Sequence, residues 1–511
     1  MRNIRSIRSI CAYKAQMFLI FFILEAFALC GQGLNTTWLL GYLSTKGRIT
    51  FTDTSYNYVT EIRKIPFTDT QGNISDDNGN LLMSSNGIFI ANATGDTMQD
   101  GGGLNPNSYT DDYKSDGLSV INGNIIIPMS DDTDKYVLFH QTGNYDAALA
   151  STEIYYSIVD MSYNNGLGKV ISKNNIIKTG TFGYGLTACK HGNGRDWWVF
   201  SFSEKGDTAF KYLCTNDTIL YYGNQNLLFP PAPDGWVGQP TFSPDGSKFA
   251  YPTGYGIPSL NMWYHDVRIF DFDRCSGIFS NGILIPLNAD SLLGWGIAFS
   301  SDSKKLYVSS WQTIYQLNVD TVNVPASLKV VAVNDIFPSP SPPFYTDFWE
   351  MYLAANGKIY ITSGSSVVDL HYINYPDSAG IACDVHLHDL HLLNYHGRAV
   401  PNHPNYYLGR LVGSSCDTLT SVKDLAEHDF RFSISPNPNN GNFRIMYLLP
   451  QNKSGRLEIF DINGRVVYSQ NLPPWSTLQS VSLPRVANGV YNCTITSDAK
   501  RVHKKLVVFN E

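Results

Sequence analysis

The stretch Gly238-Gln-Pro-Thr-Phe-Ser-Pro-Asp-Gly-Ser-Lys-Phe-Ala-Tyr-Pro252, followed by Asp266-Val-Arg-Ile-Phe-Asp-Phe-Asp273, decides the reading of this chain. Phe242, Phe249 and Tyr251 flank a Pro244-Asp245-Gly246 turn, and Val267, Ile269, Phe270 and Phe272 form a strand-prone run that ends in acidic turn residues. Such a unit cannot bury its own faces and needs copies of itself on either side.

Degenerate copies are present. A polar turn between two apolar strands recurs at Asp77-Asn78-Gly79, Asn122-Gly123, Gly192-Asn193-Gly194, Asp245-Gly246, Ser301-Asp302-Ser303 and Asn356-Gly357. Four-stranded propeller blades repeat about every 40 to 50 residues; the spacing here is somewhat longer, and the excess reads as loop. Trp38 to Tyr42, Arg48 to Phe51 and Glu61 to Phe67 add strands before the first turn, enough for most of a further blade. The expectation is an all-β chain: a β-propeller over 34–415, with seven blades preferred over six, whose ring closes through a strand at Tyr406–Val412 so that no edge is left open.

Composition agrees. Of 511 residues, 43% are hydrophobic and only 16% charged, and 31 Tyr with 27 Phe favour strands over helices. A net charge of −7 without a basic stripe argues against a nucleic-acid partner. Residues 1–32 read as an export signal: Arg2, Arg5, Arg8 and Lys14 precede the apolar block Met17–Leu29, which is too short to span a membrane, so the mature form is expected to hold no integral membrane segment. Leu29 stands where a lipoprotein signal asks for a small residue, which disfavours acylation of Cys30. Export permits disulfides, and Cys189 with Cys214 is the expected pair. Pro338-Ser-Pro-Ser-Pro-Pro343 reads as a loop joining two blades.

A polar linker over 416–429 separates a second unit, 430–511, whose alternating strands and Asn-Gly turns fit a small Ig-like β-sandwich. Ser435-Pro-Asn-Pro438 with Gly441, Ile459-Phe-Asp-Ile-Asn-Gly-Arg465, Asn488-Gly-Val-Tyr491 and Lys504-Lys-Leu-Val-Val508 closely resemble the type A C-terminal sorting domain of Bacteroidota proteins exported by the type IX secretion system. On that resemblance Pro436, Asn437, Pro438, Gly441, Gly464, Gly489, Tyr491 and Lys505 carry the sorting motif. It implies export through the periplasm to the cell surface or the medium, with the secretion machinery as partner. The rest of the chain is similar to secreted Bacteroidota proteins with WD40-like repeats, on residues 191–198, 242–246, 269–275 and 401–409, a likeness that implies no activity.

Chemistry has to be sought residue by residue. His191, Arg195 and Asp196 beside Trp197 and Trp198 could hold a polar ligand, or could be a blade turn with packed tryptophans. Trp295 lies four residues before Phe299 and Trp349 four before Leu353, so both precede the first strand of their blade at the same place, and Tyr184 and Trp236 lie near the corresponding place in two others. Equivalent positions meet around one channel rim, where aromatic faces would stack on a sugar or a peptide; packing between blades is the competing reading. His386 and His388 share a strand face, yet no third ligand accompanies them, and Asp76 to Asn80 and Asp131 to Asp134 read as turns, so no metal site is expected. No nucleophile elbow, phosphate loop, dinucleotide fingerprint or acid/base pair stands out, and no cofactor is expected. The expected function is a binding or adhesion module for glycan or protein, with a secreted polysaccharide- or peptide-degrading enzyme as the alternative.

Overall fold

The computed structural model describes residues 33–52, 55–129, 134–229, 236–257, 262–287, 296–417, 431–449, 453–473, 478–483, 486–498 and 500–509. The export-signal reading of residues 1–32, the Asp131 to Thr133 turn, Trp295 and most of the linker lie outside these.

The turn that opened the sequence reading explains how the blades form. Asp245 accepts hydrogen bonds from Ser247 N–H and Ser247 Oγ, Gly246 takes φ +69°, and Ser243 pairs with Lys248 across the turn. The same chemistry returns at Ser300 to Lys305, where Asp302 accepts from Lys304 N–H and Ser303 takes the left-handed position in place of glycine. Each turn folds its two apolar strands into a hairpin, and two more hairpin-linked strands complete the sheet.

Seven blade-like sheets follow among the described residues. The N-terminal blade has three strands, Thr37–Leu40, Lys46–Phe51 and Tyr56–Glu61. Blades two to seven begin with the innermost strands Gly72–Ser75, Asn124–Pro128, Thr187–Lys190, Thr241–Phe242, Ile297–Phe299 and Met351–Leu353, and each runs outward by antiparallel pairing. A parallel contact, Lys169 with Gln99, joins the outer strands of blades two and three. Apolar residues fill the gaps between blades: Phe200, Phe202, Phe249, Tyr251, Phe270 and Phe279 between four and five, and Trp38, Phe51, Tyr360 and Leu370 between the N-terminal blade and blade seven. The prolines at 338–343 lie in the connection between blades six and seven.

Ring closure departs from the expectation. Residues 406–412 form no strand; the closing segment lies upstream, at 398–403, between blades seven and two. Thr362 Oγ donates to Arg398 O, Ala399 N–H to Thr68 O, Asn402 N–H to Gln71 O and His403 Nε2 to Asn73 O. The segment thus runs parallel to the inner strand of blade two, where the missing fourth strand of the N-terminal blade would sit. Pro401 and Pro404 lack the N–H needed to extend a ladder, which is why it stays irregular. It then crosses the channel: Asn402 Nδ2 reaches Asn124 O and Leu186 O, Tyr406 OH reaches Ile126 O, and Asn405 Nδ2 reaches Pro244 O.

The second unit is a sandwich of a three-stranded sheet, containing Arg431–Ser435, Asn442–Leu448 and Leu478–Ser482, and a four-stranded sheet, containing Gly455–Phe460, Val466–Leu472, Gly489–Ser497 and Lys500–Val508. Phe443, Ile445, Leu457, Ile459, Cys493 and Leu506 form its core.

The expected Cys189–Cys214 disulfide is not formed; both are buried free thiols, and the bond present is Cys275–Cys416. The register gives the reason. Cys189 lies opposite Trp198, whereas Cys214 lies opposite the preceding Trp197, so the two thiols point to opposite faces of blade four. Burial pushes each thiol up to about 12.

Candidate ligand site in the channel

Between the inner strands of blades five, six and seven and the crossing segment lies a cavity of about 140 Å³. Since one water needs roughly 10–15 Å³ of such space, it has room for about ten waters, the bulk of one or two sugar rings. Phe242, Phe299, Met351 and Leu353 give it apolar walls, and Thr241, Ser301, Tyr352, His403, Asn405 and Tyr407 place polar groups among them. Ala355, Gly357 and Leu478 also line it.

Several of these groups are held rigidly. His403 donates to Asn73 O at 2.7 Å and burial lowers its pKa to about 4, so the ring is neutral with Nδ1 as an acceptor. Tyr407 OH accepts from Leu34 N–H at 3.1 Å and keeps its own proton to donate. Asn405 Oδ1 accepts from Tyr407 N–H, which fixes the amide. Tyr352 OH donates to Asn122 Oδ1 across the channel.

Polar and charged groups are also buried just ahead of the inner strands. Gln239 bridges three blades, donating to Met351 O and accepting from Ile297 N–H and Met351 N–H. Asp69 accepts from Ser119 Oγ and Arg398 Nη2. Glu350 is fully buried, with Val400 N–H facing its carboxyl. Burial first, and Asp69 second, push its pKa well above the usual carboxylate range, with Arg398 opposing.

The residues singled out in the sequence distribute differently. Trp349 is only 5% exposed, contrary to the expectation of an accessible stacking face at the rim. It meets Trp311 edge-on at 5.6 Å, lies under the Arg398 guanidinium, and its carbonyl accepts from Ser309 Oγ. Gly296 approaches it so closely that a Cβ would fall 2.0 Å from Trp349 O. Packing between blades six and seven therefore takes the ring. Tyr184 is half-buried, donates to Leu149 O and is raised to about 12, chiefly by burial. Trp236 pairs through its backbone with Gly254, its side chain lying outside the described residues.

His191, Arg195 and Asp196 are brought together, as a latch around a turn. His191 Nε2 donates to Cys275 O, Asn193 N–H donates to its Nδ1, and Asn193 Nδ2 and Arg195 Nε donate to Asp196. Onto this turn docks the segment leaving the propeller, through Leu411 N–H to Gly192 O and the Cys275–Cys416 bond. His386 and His388 are separated by an irregularity, with His388 at φ +41°; the first faces Asp384 and Asp389 and the second Asp335.

Asp69, Gln239, Glu350 and Arg398 were missed, although three of them have a sequence signal. Asp69, Gln239 and Glu350 each precede an innermost strand by one to three residues, the offset applied above to aromatics alone.

The sorting-motif residues build the edge of the sandwich. Asn437 donates from Nδ2 to Lys505 O and accepts from Val507 N–H, tying the strand after Pro436 to the last strand. Pro438 follows it in the same crossing, Gly489 pairs with Val508, and Tyr491 OH donates to Ala487 O. Gly441 and Gly464 take φ +90° and +76°, and Lys505 is exposed.

No curated protein matches this chain significantly. Among solved structures, the periplasmic gluconolactonase PpgL of Pseudomonas aeruginosa is similar at 12% identity and TM-score 0.36, covering 88% of this chain and 99% of that one. The Cps50 (Swd1) β-propeller domain of Myceliophteria thermophila is similar at 8% identity and TM-score 0.33, covering 65% and 94%. Hsv2 of Kluyveromyces lactis is similar at 11% identity and TM-score 0.33, covering 67% and 95%. None of these bears on ligand or activity. Among the described residues no helix is long and apolar enough to cross a membrane. Residues 433–509 match the secretion system C-terminal sorting domain, so this chain carries an all-β propeller joined to a type IX sorting domain and is directed to the cell surface or the extracellular space.

Proposed function

We propose that the protein is a binding module shown at, or released from, the cell surface, and that it takes a small polar ligand, a glycan unit or a short peptide segment, in the channel cavity between blades five, six and seven. The observation that carries this reading is the cavity itself: apolar walls on rigid inner strands, with His403, Asn405, Tyr407 and Tyr352 each fixed by a hydrogen bond. Groups fixed in advance lose little freedom when a ligand arrives. Screening the purified protein on glycan and peptide arrays tests it, with Ala355→Trp as the filled-cavity control. Binding that Ala355→Trp abolishes supports the site, and binding that it leaves unchanged places the ligand elsewhere.

A hydrolytic reading draws support from one feature, the buried Glu350, whose carboxyl is pushed well above the usual carboxylate range by burial and by the neighbouring Asp69, because a carboxyl kept protonated can serve as a general acid. Turnover of any arrayed substrate, lost in Glu350→Gln with the fold intact, would move the protein into that class.

A further inference from the structure

The outward face of the three-stranded sheet of the sorting domain is covered. Phe443, Ile445, Tyr447 and Val481 point into the sandwich core, so Arg444 and Met446, between them, point away. Yet Arg444 is 7% exposed and Met446 5%. Arg444 Nη1 donates to Asn356 O and Nη2 to Asn374 O at 2.6 Å, with the guanidinium 6.0 Å from the Tyr375 ring centre. Leu478, which pairs with Met446, lines the channel cavity, and a Cβ on Gly357 would fall 2.1 Å from its Cδ2. Both contacts meet at the Asn356-Gly357 turn, whose Gly357 lines the cavity.

We propose that the sorting domain is a cap on the channel cavity, so that the exported protein is latent until that domain leaves the turn. The proposal rests on the cavity as ligand site. Arg444 supplies the hold, since two charge-assisted bonds to turn carbonyls are strong while water is excluded, yet water can replace them once the domain lifts. Leu478 supplies the plug. Gly357 admits it because any larger residue would collide.

Thiol accessibility reads the cap without a ligand. In the full chain, Ala355→Cys places a thiol on the cavity wall and Lys205→Cys places one on an exposed turn as a control. N-ethylmaleimide labelling is followed by mass spectrometry, with the parent as background. Ala355→Cys should label far more slowly than the control, and adding Arg444→Glu should raise its rate on the order of tenfold or more, as expected for losing a charge-assisted hydrogen bond. Leu478→Ser, which removes the plug and leaves the sandwich core untouched, should raise it as well, and serves if Arg444→Glu fails to fold. Equal labelling of Ala355→Cys and the control in the full chain overturns the cap, as does no response to either opening variant. An open cavity that binds nothing on the arrays sinks the binding reading and leaves the cap standing. A ligand held equally by the parent and Arg444→Glu does the reverse.

Discussion

Asp347 is buried, and its carboxyl accepts a hydrogen bond from Gly364 N–H. Burial raises its pKa from 3.8 to about 7. A carboxyl raised on folding binds more protons in the native state than in the unfolded one, so its share of stability is full below about pH 4 and is lost as pH rises to about 7. At about 1.4 kcal/mol per pH unit, that loss amounts to roughly 4 kcal/mol. Urea denaturation across this window should show stability falling with pH, and Asp347→Asn should flatten the slope. A slope unchanged in the variant would mean that the carboxyl finds compensation on ionising. Trp349 makes a second case at this scale. With its ring wedged against Trp311 and Arg398, Trp349→Ala should cost about 3–5 kcal/mol in chemical denaturation. A cost under about 1 kcal/mol would return the ring to the exposed-rim role that its spacing suggested.

At the scale of the element, the segment from Arg398 to Cys416 does the work of a closing strand without being one. It is held by hydrogen bonds to blades two, three, four, five and seven, and by a disulfide across 141 residues. A cross-link over so long a loop stabilises chiefly by restricting the unfolded chain, and its loss costs roughly 2–4 kcal/mol. Cys416→Ser should lower stability by that amount while leaving the blade cores folded. Denaturing alkylation of protein beginning at Gly33 should count four thiols, at Cys189, Cys214, Cys383 and Cys493, and tryptic mapping should find Cys275 joined to Cys416. A Cys189–Cys214 peptide would contradict the register of blade four.

For the whole molecule, each of the two units has its own core. Ending the chain at Asp417 should therefore leave the propeller with a cooperative melt close to that of the parent, because the Asn356 and Asn374 carbonyls given up by Arg444 can turn to water. In the producing cell that truncated form should stay in the periplasm. Its normal display at the surface would remove the sorting role from residues 433–509.

Blade turns and sorting motifs were legible because both are local. An Asp-Gly or Asn-Gly turn between apolar strands fixes a hairpin by short-range hydrogen bonds and positive φ, as at Asp245-Gly246, and Ser435-Pro-Asn-Pro438 is contiguous. The cavity, the meeting of Glu350 with Asp69, the Cys275–Cys416 bond and the Arg444 contact were not, because each joins residues far apart in the chain whose meeting depends on blade order and on the path of the closing segment. Alternation along a strand says which residues share a face. Whether that face meets water, a neighbouring blade or the sorting domain is decided only when the ring closes, and this is why Trp349, placed at the rim by its spacing, is buried by its neighbours.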